Sequence, residues 1–139
     1  METANKNFIV EGKFVGKQRP RVGRYGNVYT PQKTKDYEEL IRQEYIRNFG
    51  ERRTNAPVSI EIIAYFEIPK SWSKKKKEQA CLGIIKPTTK PDIDNIAKTI
   101  LDALNGVAYE DDKQVVHCSI LKWYSIEPKV AISIRECLF

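Results

Sequence analysis

The chain has 139 residues, enough for one domain with a real core, and its 41% hydrophobic and 30% charged content excludes intrinsic disorder. No apolar run approaches the roughly 20 residues of a membrane-spanning helix, and METANKNFIVEG lacks the apolar stretch and cleavage site of a signal peptide, so a cytoplasmic protein is expected. The net charge of +6 permits nucleic-acid binding, and the spread-out Cys81, Cys118 and Cys137, with no C-x-x-C, argue against disulfides or zinc and for small buried or half-buried side chains.

Phe8, Val10 and Phe14 fall on one side of an extended segment, which predicts a first strand. Residues 12–35 then carry seven Lys/Arg and no acid, and GKQRPRVGRYGNVYTP within them is too rich in turn formers to predict a regular element. The spacing of Tyr37, Leu40, Ile41, Glu44 and Tyr45 predicts a helix over 33–48. After Pro57, the alternation of Val58, Ile60, Ile62, Ala64 and Phe66 predicts a strand. A short helix capped by Ser73 and ended by Gly83 follows, inside a region, 70–90, with seven lysines and one acid.

A stronger helix is expected over 94–105, stopped by Gly106, then strands over 114–124 and 130–136 with a turn at Glu127 and Pro128. The order β-α-β-α-α-β-β predicts an α+β, single-domain fold with one mixed sheet and helices packed on it.

The chemistry concentrates in KPDIDNIAKTILDALNGVAYEDDKQV, residues 90–115. Here six carboxylates between 92 and 112 face one lysine. Asp92 and Asp94 are two apart, so in an extended or turn conformation both carboxylates point the same way. Asp94 stands where an N-cap is expected, its charge favoured by the helix dipole. At about 100° per residue from Ile96, the side chains of Ile100, Ala103 and Leu104 stay within about 80°, while Asp94, Lys98 and Asp102 fall at about 160°, 200° and 240°. A hard cation such as Mg2+ takes carboxylate oxygens, water and phosphate. Asp92 and Asp94 supply two ligands, and the cluster Glu110, Asp111 and Asp112 is the dense acidic source for a third. Lys98 is placed to set an ammonium against a phosphate. Acids at helix starts and turns commonly only cap them, an EF-hand lacks its glycine, and His117 reads as an ordinary sheet residue.

KPDIDNIAKTILDAL followed by EDDKQV closely resembles the signature of the RusA family of Holliday junction resolvases, in which D-x-D-N-x-x-K opens a helix and D-D-x-Q-V follows. RPRVGRYGNVYTPQKTKDYEE, residues 19–39, is also similar to members of this family, often found in phages and prophages. The resemblance implies a homodimeric, Mg2+-dependent endonuclease, with Mn2+ as a substitute, that nicks opposite strands of four-way DNA junctions; recombination, repair and processing of phage replication intermediates all use branched DNA. It implies Asp92, Asp94 and Asp112 as metal ligands and Lys98 as the catalytic lysine. Spacing alone does not separate Asp111 from Asp112, and Asp102 reads as a surface or supporting acid.

Arg19, Arg21, Arg24 and Tyr29 are the favoured DNA contacts, since arginine suits phosphate geometry. Lys74, Lys75, Lys76 and Lys77 either add to them or form a solvated helix start, and Trp72 either stacks on a base or anchors its loop. The rivals are a nuclease for other branched or flapped DNA and a non-catalytic basic DNA-binding module.

Overall fold

Phe8 and Val10 alternate with exposed neighbours along β1 (Lys6–Glu11) and enter the core, in a computed structural model that describes residues 5–137. The strand stops earlier than expected, because Gly12 turns at a φ of 100°. Phe14, beyond the strand, is buried nonetheless, edge-on to Tyr37 with ring centroids 5.2 Å apart. The segment expected to be irregular contains a small hairpin, β2 (Arg21–Val22) and β3 (Val28–Tyr29), which among the described residues pair only with each other. It interrupts the expected β-α-β-α-α-β-β order.

Helix α1 (Gln32–Phe49) buries Tyr37, Ile41 and Tyr45, which recur every fourth residue, whereas Leu40 faces outward. β4 (Val58–Glu67) follows, then α2 (Lys74–Cys81), where Ser73 caps by accepting from the Lys76 N–H at 3.2 Å. Next come α3 (Ile93–Leu104), a 3-10 turn at Asp112–Gln114, β5 (Val115–Ser125) and β6 (Lys129–Glu136). Cys81 and Cys118 are exposed and Cys137 half-buried, so the expectation of buried cysteines holds only in part. Cys118 lies on β5, the edge strand of the main sheet among the described residues.

The main sheet runs β1-β6-β4-β5, with β4 and β5 parallel and the other pairs antiparallel. Parallel neighbours need a crossover, and α2 and α3 provide it. Ile60, Ile62, Ile132, Ile134, Phe8 and Val10 point to one face, where Ile96, Ile100, Ala103 and Leu104 of α3 and the buried stripe of α1 cover them. On the other face Ile9, Ala131, Ile63 and Leu121 stand side by side across all four strands. Ile9 and Leu121, at the ends of that row, remain 45% and 42% exposed. No helix among the described residues is long and apolar enough to cross a membrane.

Candidate active site

The cap of helix α3 lies two residues earlier than expected. Asp92, extended at φ −79° and ψ 170°, is the N-cap and accepts from the Asn95 N–H at 2.8 Å. Asp94 lies in the first turn, exposed, where the positive end of the helix dipole favours its charge. The two carboxylates thus stand at the start of the helix, Asp92 on the extended cap and Asp94 inside the first turn. Lys98 is exposed one turn further on, and Asp102 is half-buried.

Asp102 receives the ammonium of Lys17, which also stands 3.9 Å from the nearly buried carboxylate of Glu38. Backbone bonds at the same residue strengthen the junction. The Lys17 N–H donates to Asn95 Oδ1 at 2.6 Å and to Thr99 Oγ1 at 3.1 Å, and Asn95 Nδ2 donates back to the Lys17 carbonyl at 3.0 Å. Gly16 permits this approach, because a Cβ there would sit 3.0 Å from Asn95 Oδ1 and 3.3 Å from Pro91 Cβ. Asn95, Thr99 and Asp102 form one stripe of α3, and that stripe holds the acid-free basic segment against the helix bearing Asp92 and Asp94. Neither Asn95 nor Lys17 stood out in the sequence, although the amide inside D-x-D-N was a signal.

The second acidic motif is held by an amide too. Asp111 caps the 3-10 turn, accepting from the Lys113 N–H at 2.9 Å, and that bond holds its carboxyl below the usual range. Gln114 Oε1 accepts from the Glu110 and Asp111 N–H groups, both at 2.9 Å. Its Nε2 donates to the carbonyls of Thr54 and Ala56 at 3.0 and 2.9 Å. Asp111 is thus engaged as a cap. For Asp112, loss of hydration raises the carboxyl above its usual range, and the adjoining Asp111 and Asp102 raise it further.

Beneath lies Tyr109, fully buried, whose hydroxyl donates to the Leu101 carbonyl at 2.6 Å and ties the turn's approach to α3. Burial pushes this phenol far above its ordinary value, helped by Asp112 and Asp102.

The donors on hand are carboxylate oxygens, the type a hard divalent cation takes. Among the described residues no three His, Cys, Asp or Glu side chains are gathered into a ready cluster, so Asp92 and Asp94 are not assembled with Asp112. Asp112 is the observation that suits a cation: its carboxylate is crowded by like charge, which a divalent ion would relieve.

The sequence profile described as Endodeoxyribonuclease RusA matches residues 11–135, almost the whole fold and both acidic motifs. The chain belongs to the RusA endodeoxyribonuclease family. It is accordingly a DNA-cutting hydrolase. It is also 42% identical over 134 residues to a Bacillus subtilis (strain 168) protein titled uncharacterized protein YqaN, covering 93% of this chain and 94% of that one.

In this RusA-family chain the expected DNA contacts divide between two places. Arg19, Arg21 and Arg24 are exposed on and beside the β2–β3 hairpin, with Tyr29 at its end. Lys74, Lys75 and Lys76 are exposed on α2 and Lys77 is half-buried. The Lys76 ammonium sits 4.1 Å over the Trp72 ring, which itself packs edge-on to Tyr124 at 5.2 Å. Trp72 is therefore a loop anchor and not a free stacking platform. His117 is a strand residue, its Nδ1 3.0 Å from Ser59 Oγ.

Proposed function

We propose that this single-domain protein is a Mg2+-dependent nuclease that resolves four-way DNA junctions in the cytoplasm by paired symmetric nicks. The observation that carries the reading is the bonding of Lys17 to Asn95, Thr99 and Asp102, which fixes an acid-free basic arm beside the carboxylates of α3. A polyanion held by that arm lies against the acids that would otherwise repel it.

Asp92, Asp94 and Asp112 would hold the metal ion, with Asp92 keeping one oxygen free of its cap. When bound, a divalent ion supplies an activated water and neutralises charge on the phosphate. Lys98 sets its ammonium against the phosphate, and Lys17 and Asn95 keep the arm in place. Arg19, Arg21 and Arg24 take phosphates of the DNA arms, aided by Lys74, Lys75 and Lys77, so affinity falls steeply with salt. A four-way junction has near two-fold symmetry, and a symmetric dimer offers two sites to two equivalent strands. The apolar row Ile9, Ala131, Ile63 and Leu121 is the surface that supports such a homodimer.

The test uses a labelled four-way junction and a linear duplex of matching sequence, with Mg2+, Mn2+ or EDTA. Paired nicks on the junction alone are expected with either metal and none in EDTA. Asp92→Asn retains the capping oxygen, so it should fold and bind yet lose cleavage by about 100-fold or more. Cutting of flaps but not junctions would move the substrate to other branched DNA, and binding without cutting in any metal would refute the enzyme.

A further inference from the structure

An isolated two-stranded ribbon is barely stable in water, yet among the described residues the β2–β3 hairpin pairs with nothing else and hides none of its apolar side chains. Val22 and Val28 are 70% and 69% exposed, and Tyr25, at the tip, is 90% exposed. The tip is tightly made: the Gly23 N–H donates to the Asn27 carbonyl at 2.6 Å and the Gly26 N–H to the Gly23 carbonyl at 3.0 Å. Gly26 takes the positive φ of 80° that this turn needs. The ring of Tyr25 is thereby presented on a hydrogen-bonded turn between Gly23 and Gly26, next to Arg24. Arg19 and Arg21 flank its base, and residues 12–35 hold no acid.

We propose that the hairpin is the part that senses the branch point, with Tyr25 stacking on a base face exposed where the DNA arms meet. This rests on the reading of branched DNA as the substrate. In continuous duplex each base face is covered by its neighbours, so an aromatic tip finds nothing to stack on. At a branch point a face is free, and stacking on an aromatic ring is indifferent to base identity. The arginines attract any DNA, whereas Tyr25 distinguishes branched from linear.

The experiment measures binding in EDTA, by anisotropy, to a four-way junction and to a matched duplex, with 2-aminopurine at the branch point as a second readout. Tyr25→Ala is expected to weaken junction binding by about 5–150-fold, the range for one stacked base, to leave duplex binding unchanged and to abolish the 2-aminopurine response. Tyr25→Phe keeps both. Equal weakening on both DNAs, or no weakening on either, overturns the proposal. So does a shift in sedimentation of Tyr25→Ala without DNA, which would assign the hairpin to a second copy of the chain. Parent protein that binds junction and duplex equally refutes the substrate reading itself. A parent preference that Tyr25→Ala retains refutes only the role of Tyr25.

Discussion

Asn95→Ala separates the basic arm from α3 without touching a charge. The carboxamide accepts from the Lys17 N–H at 2.6 Å and from Thr99 Oγ1 at 3.2 Å, and donates to the Lys17 carbonyl at 3.0 Å. Each such bond nets about 1 kcal/mol. Thr99 still accepts from the Lys17 N–H at 3.1 Å, and alanine returns roughly 0.5 kcal/mol of helix propensity. The expected loss is about 2–3 kcal/mol. Unfolding entropy of about 2.1 cal/mol/K per residue gives about 0.3 kcal/mol/K for 139 residues, so Tm should fall by about 7–10 °C.

Lys17→Met is the matched control, because it keeps the backbone bonds and removes an ion pair whose side chains are 25% and 29% exposed. Screening limits that loss to about 1 kcal/mol, or about 3 °C. Thermal melts followed by circular dichroism give the shifts, and trypsin cleavage after Arg21 and Arg24 should quicken in Asn95→Ala. A Tm within about 2 °C of the parent, with unchanged proteolysis, would mean that Asn95 does not hold the arm.

Gln114→Ala removes four hydrogen bonds and should cost about 3–4 kcal/mol, read from urea unfolding, while Lys113→Ala next to it changes little. Mg2+ at about ten times its Kd should stabilise the parent by about 1.4 kcal/mol, or about 5 °C, and leave Asp112→Asn unmoved in the same melt. Because Asp112 has its carboxyl raised in the fold, it weakens stability as pH rises through that range. Asp112→Asn should therefore melt higher than the parent at neutral pH in EDTA, and a lower Tm would contradict that sign. Gly83→Ala places a Cβ 1.9 Å from Trp123 Cζ2 at a φ of 77°. It should destabilise by about 3 kcal/mol or more and shift tryptophan emission.

Elements that bury a periodic face were legible in the sequence. Ile96, Ile100, Ala103 and Leu104 announced α3 and are all buried, and β4 and α1 followed their apolar spacing to within a residue or two. The hairpin was hidden because strands of two residues that pack on nothing carry no periodicity. The cap is ambiguous in sequence because D-I-D offers two acceptable caps, and only the position of the Asn95 N–H distinguishes Asp92 from Asp94. In the site, carboxylates and lysines draw attention by charge, whereas Asn95 and Gln114 act by satisfying backbone groups distant in sequence. Lys17 was one of seven basic residues, and nothing local marks it as the one that turns inward.

The place of β6 in the sheet has a consequence for the order of events during synthesis. It lies between β1 and β4, so among the described strands β1 has no partner until β6 has left the ribosome. Pairing across about 120 residues makes for a slow, late closure. Until then β4 lacks one neighbour and the apolar stripe of α1 lacks part of its floor. The acids of α3 and the basic arm are translated before the sheet beneath them can close, so an emerging chain has the residues of a nuclease before it has the platform that aligns them.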